Sequence, residues 1–246
     1  MSKIRLHGSS SGHTEVAPAA AAGNNTVTLP NSSGTLLLTD GSAASLTQIP
    51  AANIVGVATG GFKKSGETSL QVLEQFYLLA DGRSVSTSNG TVTTTNVTTD
   101  PNLTDSFAEA SGSSLTYHPP TGTTEIIYEY KFLIAENNSN DRYLIGYYVD
   151  IDGSEILESR TSRMGSAEYQ DTIDLKYSFR VNTGGSNNAT TGDRASLSSI
   201  TIKTMIRRWA SSYAAKIHRL QYYSGTSAVD ITRRPYVGIT AIGTPS

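Results

Sequence analysis

Between residues 124 and 136 the chain reads TEIIYEYKFLIAE, and apolar and polar positions alternate. Ile126, Tyr128, Tyr130, Phe132 and Ile134 fall on one side, and Glu125, Ile127, Glu129, Lys131 and Leu133 on the other. A period of two with a mostly polar outer side predicts a strand half-buried against a core. Comparable runs follow: DRYLIGYYVDID, SEILESRT, TIDLKYSFRVN, LSSITIKTMIRRW, AKIHRLQYYS and RPYVGITAIG. The turn-forming stretches IDGS, NTGGSNN and YSGTS separate them. This series of strands across 113–246 predicts an antiparallel β-sandwich or jelly roll as the head of the molecule. Strands do not alternate with helices, which argues against a doubly wound fold.

The first half is patterned differently. At 70–79 the residues Leu70, Leu73, Phe76 and Tyr77 stand at helical spacing, yet VLEQFYLL serves equally as a strand entering the Asp81-Gly82 turn. Both readings stay open. The Thr- and Ser-rich stretch after it has strand propensity but few core residues, so 51–112 reads as a connecting β region of exposed strands and loops. Residues 1–50 hold short extended pieces between Gly, Ser and Asn turns. In EVAPAAAAGNNTVTLP, Pro18 and the run Gly23-Asn24-Asn25 keep the alanines from a long helix, and Thr26 to Leu29 form a short extended piece closed by Pro30. Such a segment buries too little apolar surface to fold alone. It reads as an anchoring or stalk segment, marked by Pro18, Ala21, Thr26, Leu29 and Pro30, that copies of the same chain would cover.

Composition narrows the class. Hydrophobic residues make up 37% and charged residues 16%, both below ordinary globular values, with Ser, Thr, Asn and 22 glycines in their place. Twelve of the 13 tyrosines lie at or after Tyr117, which puts the core in the second half. The formal net charge of −2 gives no general attraction to nucleic acid or anionic membrane. Without cysteine there are no disulfides, thiolate metal sites or thiol nucleophiles. The N-terminus lacks the apolar core of a signal peptide, and no apolar run is long enough to span a membrane. A soluble protein made in a cytoplasm is expected, and glycosylation of its Asn-x-Ser/Thr sequons is not.

Catalytic and metal motifs are weak. GSSSG at 8–12 matches the nucleophile elbow in letters, but the elbow needs a strand before it and a helix after it. It reads as a linker. DIDG at 150–153 could open a calcium loop, but the twelfth position is Thr161, so it reads as a hairpin turn. The four histidines share no ligand spacing, and no pair of carboxylates is marked out for glycan hydrolysis. Arg207, Arg208 and Trp209, with Lys203 and Arg219 nearby, read as a solvated face beside core; acidic sugar or nucleic acid is the functional alternative. No catalytic residue, metal or cofactor is expected, and the protein is not expected to be an enzyme.

The stretch GSSSGHTEVAPAAAAGNNTVTLPNSSGTLLLTDG, about residues 8–41, resembles a leader of tail-fibre and other virion proteins of tailed bacteriophages, especially those of marine bacteria and cyanobacteria. VLEQFYLLADG, GSSLTYHPPTGTTEIIYEYKF, DIDGSEILESRT and AAKIHRLQYYSG with RRPYVGITAIG resemble the sandwich heads of phage virion structural proteins, which are similar in architecture to trimeric C1q and tumour-necrosis-factor sandwiches. Ala80 stands where that group would carry cysteine, so no thiol role carries over. The resemblance implies an all-β homotrimer in the virion, made in the bacterial host cytoplasm. Its partners would be its own copies, other virion proteins and host surface glycan, with no nucleic acid and no membrane insertion. As a fibre it would meet glycan through the loops at 136–141 and 182–193, with Asn137, Asn138, Asn140, Asn187, Asn188 and Asp193 as contacts. As a capsid decoration protein its N-terminus would lie on the shell. A virion-borne glycan depolymerase and a free lectin-like module are the remaining alternatives.

Overall fold

A computed structural model describes residues 4–7, 9–16, 70–136, 142–166, 170–196, 198–224 and 227–244. The chain divides into two compact units, Met1–Gly61 and Phe62–Ser246. In the first, β1 (Ile4–His7) and β2 (His13–Val16) pair antiparallel, with Arg5 and Glu15 joined at 3.1 Å. GSSSG therefore lies between two strands, and the helix an elbow needs does not follow it.

The second unit opens with β3 (Gln71–Leu79) and the small hairpin of β4 (Ser84–Thr87) and β5 (Gly90–Thr93). Next come β6 (Ala108–Glu109), β7 (Leu115–Tyr117), β8 (Thr123–Glu136), β9 (Arg142–Ile151) and β10 (Ser154–Glu155). β11 (Thr161–Ser166), β12 (Asp171–Arg180), β13 (Ile200–Arg208), β14 (Ala215–Ile217), β15 (Arg219–Ser224), β16 (Ser227–Thr232) and β17 (Tyr236–Gly243) complete it.

Two antiparallel sheets face each other across one core. In the first, β9 and β13 are central; β10 and β11 follow one another along β9, and β6 and β7 along β13. In the second the order is β12-β8-β17-β3, with β14 pairing with β8 beyond the reach of β17. When the end-to-end pieces are merged, the chain alternates between sheets as a double Greek key does, which makes this a jelly roll. The expected all-β sandwich is the observed fold.

The alternation in β8 holds from Glu125 to Phe132; beyond it, Leu133 and Ala135 on the other face are buried as well. Ile126, Tyr128, Tyr130 and Ile134 are fully buried, against Ile145, Val149 and Ile151 of β9 and Ile200, Ile202 and Ile206 of β13 in one cluster. Fully burying each such side chain contributes about 1.5–3 kcal/mol. The tyrosine hydroxyls that go in with them are matched: Tyr128 donates to the Ser113 carbonyl at 2.7 Å, Tyr130 to the Ser111 carbonyl at 2.8 Å and Tyr143 to Asp171 at 2.6 Å. An unmatched one would cost about 1–3 kcal/mol. Burial also raises the pKa of all three, so they remain donors.

Two runs expected as continuous strands are interrupted. SEILESRT breaks after Glu155 into a 3-10 turn, Leu157–Ser159, because Ile156 enters the core while Leu157 stays outside. AKIHRLQYYS breaks at His218, whose φ of 67° ends β14 before β15 pairs with β16. The open stretch at 70–79 is a strand. Its pairing with β17 shifts register between Ala241 and Ile242, and that bulge disturbs the period of two. DIDG is a two-residue hairpin turn, with φ of 55° at Asp152 and 78° at Gly153.

An aromatic and arginine-lined cleft on the first sheet

β9 and β13 pair so that Gly146 lies opposite Arg207 and Tyr147 opposite Ile206. Tyr147 and Ile206 face the core, so Gly146, Tyr148 and Arg207 belong to the outer face. Trp209 follows directly; its backbone N–H donates to the Leu144 carbonyl at 2.8 Å and extends the ladder by one step. The segment before β6 is fastened over this face from two directions. Arg208 meets Asp105 at 2.6 Å, and the Arg208 N–H donates to the Thr104 carbonyl at 3.0 Å. Phe107 is thereby held edge-on to Tyr148, with ring centroids 4.7 Å apart.

The result is a cleft of about 380 Å3, within the range of small-molecule sites. Its floor includes Gly146, where an added methyl group would come no nearer than 3.9 Å to Phe107 and 4.0 Å to the Thr161 carbonyl. Trp209 is 62% exposed and Phe107 38% exposed. The Arg207 guanidinium lies 4.7 Å from the Phe107 centroid and 5.9 Å from that of Trp209, a cation between two π faces. On the far rim, Glu155 and Arg160 pair at 2.6 Å beside Thr161 and Ser162.

The basic residues read from sequence as one patch prove unequal. Arg208 pairs with Asp105, Lys203 with Glu109 at 3.7 Å, and Arg219 with Asp230 at 2.9 Å. Arg207 has no carboxylate partner among the described residues. Phe107, Gly146, Glu155 and Arg160 were invisible as site residues, because nothing local marks them; the alternation around Ile206 was the one available sign that Arg207 faces out.

The loop residues singled out from sequence lie elsewhere. Asn187 Oδ1 accepts from the Ala195 N–H at 3.0 Å, and Asn188 Oδ1 from the N–H of Thr190 at 2.8 Å and Thr191 at 3.3 Å. Asp193 is buried and meets Arg180 at 2.7 Å. Burial opposes its charge, but the hydrogen bonds from Arg180 outweigh this and hold its carboxyl below the usual range. Buried Arg194 ties the same loop to the Asp152 turn, donating to the Ile151 carbonyl at 2.6 Å. These side chains shape their own loop. Asn137, Asn138 and Asn140 lie outside the described residues, as do Pro18, Ala21, Thr26, Leu29 and Pro30. Among the described residues no group of three or more His, Asp or Glu gathers as for a metal ion.

No family model matches the chain, and no curated protein does. Among solved structures, that of a marine algae virus of the order Picornavirales aligns over 90% of this chain and 95% of its own, with 10% identity and a TM-score of 0.23. A score of that size carries no argument about fold or function, and the reading below stands without it.

Proposed function

We propose that the chain is a non-enzymatic structural protein of a bacteriophage virion, a homotrimer that projects its sandwich head from the particle surface and serves in host attachment. The observation that carries the reading is the strand order. Two sheets with double Greek-key connections form a jelly roll, an architecture that recurs in viral capsid and lectin domains. Fold alone does not set function. The weight comes from the conjunction of this fold with the resemblance of about 8–41 to a fibre-type leader and of the later stretches to the sandwich heads of phage virion proteins.

Association with further copies is supported by the β15–β16 ribbon, where Tyr222, Val229 and Ile231 are exposed at 58%, 48% and 44%. Tyr222 pairs with Val229 and Leu220 with Ile231, so these groups share one side of a two-stranded ribbon. A lone ribbon with an open apolar side is marginal in water. Binding is proposed over hydrolysis because the carboxylate in the cleft, Glu155, is tied to Arg160, whereas glycoside hydrolysis needs two acids working together.

The test is gold labelling of intact virions with an antibody raised against residues 113–246. Gold at the tail or its appendages is the expected result. Gold over the capsid would replace attachment with capsid decoration, and absence of gold would overturn the virion reading. Sedimentation of the purified chain should give three times 26.1 kDa. The mass of one chain would instead leave a free lectin-like module.

A further inference from the structure

We infer that the cleft between Phe107, Trp209 and Arg207 binds an acidic sugar, a uronate-bearing unit of a polysaccharide. Two exposed rings flank the opening, and the apolar face of a pyranose packs on such rings as other flat ligands do. Gly146 leaves the floor open to that approach. Arg207 supplies the charge. Its guanidinium carbon lies over both the Phe107 and the Trp209 rings, and its planar fork of N–H donors suits the two oxygens of a carboxylate. Arg208, Lys203 and Arg219 are each matched to an acid, whereas Arg207 has no carboxylate partner among the described residues.

The rest of the lining separates sugar from nucleic acid. Single-stranded nucleic acid also stacks on aromatic rings, but it needs a continuous basic groove along its phosphates. Here the basic groups Arg208, Lys203 and Arg160 are offset by Asp105, Glu109 and Glu155, so they form no continuous basic track for a phosphate backbone. Glu155 and Arg160 instead offer an acceptor and donors side by side with the hydroxyls of Thr161 and Ser162. That mixture matches a polyhydroxylated ligand carrying one negative charge.

The inference deepens the binding role proposed above and rests on it for its biological setting. Its test uses purified protein, so it holds or fails apart from the virion labelling. Trp209 is the only tryptophan in the chain, which makes its emission a direct reporter of the cleft. Tetrasaccharides containing glucuronate, galacturonate or mannuronate would be titrated to about 10 mM, tenfold past a millimolar Kd. Their carboxyl-reduced counterparts and a short oligothymidylate would be titrated alongside.

The expected result is a saturable change in emission with at least one acidic tetrasaccharide, and binding of its neutral counterpart roughly tenfold weaker or more. Arg207→Gln should erase that preference. Gly146→Val should block both forms by filling the floor, with unchanged near-ultraviolet circular dichroism to show that the fold is kept. Three results would overturn the inference: no response to any of the three acids, an acid preference that survives in Arg207→Gln, or binding of the oligothymidylate in place of the saccharides with steep salt dependence.

Discussion

His218 makes the stability of the head dependent on pH in a way that can be calculated. It is fully buried, and its Nε2 lies 3.0 Å from both the carbonyl and the hydroxyl of Ser111. A carbonyl only accepts, so Nε2 carries the proton, and the buried Nδ1 has no hydrogen-bond partner among the described residues. A second proton at Nδ1 would be an orphaned donor in the core, where the Phe132 ring stands at a steep angle to the imidazole with centroids 6.3 Å apart. Burial therefore lowers the pKa from 6.5 to about 4, although the Ser111 hydrogen bond and the charge of Asp100 pull the other way. Asp100 is itself paired with Lys216 at 3.0 Å, and Arg219 is the next residue along the chain.

The sign follows from linkage. Between pH 6.5 and 4 the unfolded chain binds a proton at this position that the folded chain refuses, so stability is complete at neutral pH and falls as pH falls. The difference of about 2.5 pH units, at about 1.4 kcal/mol each, amounts to about 3 kcal/mol lost by pH 4. Urea midpoints should be measured from pH 7.5 to 4 at one protein concentration, since association would otherwise shift them. Near-ultraviolet circular dichroism of the buried tyrosines is the readout, because exposed Trp209 changes little on unfolding. His218→Asn is the comparison, as Asn tolerates the φ of 67° and does not titrate. The variant starts less stable but should lose the His218 component of the slope. Parallel pH profiles for the two proteins would refute the reasoning.

Other substitutions probe the rest of the fold. Tyr128→Phe removes the donor to the Ser113 carbonyl without changing shape and should lower unfolding free energy by about 1–2 kcal/mol in urea titration. Gly238→Ala drives a methyl group into the Tyr77 ring and to 2.8 Å from the Phe76 carbonyl, so it should destabilise the β17–β3 edge by about 1–3 kcal/mol, read as a lowered Tm. Arg194→Met strips the Ile151 and Gly192 carbonyls of their donor, at about 2–3 kcal/mol, and should speed amide exchange in the 182–193 loop before the sheets.

The legible parts of the sequence were those where one local period decides. β8 from Glu125 to Phe132 and β9 as far as Val149 alternate because each has one face on the core, and the sandwich follows from repeating that pattern. β3 was undecidable because a register shift in its pairing with β17 arises from a partner more than 150 residues away. His218 hides a chain break because the positive φ falls on a residue that is not glycine, and no turn signal accompanies it. The cleft was half legible. Arg207 and Trp209 stood out as basic and aromatic, but Phe107 reaches them only through the pairing of β6 with β13, and Gly146 only through the register of β9.

The two outer faces of the sandwich differ in how their cations are matched. On the second sheet, Lys131 pairs with Asp174 at 3.3 Å, Lys176 with Glu129 at 3.4 Å, and Gln75 donates to Thr240 at 2.9 Å. The Tyr77 hydroxyl donates to Glu129, and that of Ser178 to Glu125. These charged and hydroxyl groups are paired across the strands, beside exposed Tyr236. On the first sheet the same economy holds for Arg208 and Lys203 and stops at Arg207, between two rings over a glycine floor. If the cleft is the ligand site, Lys131→Met on the second sheet should leave saccharide binding unchanged while Arg207→Gln removes its acid preference. Equal losses from the two would mean that charge anywhere on the head, and not this cleft, draws the ligand.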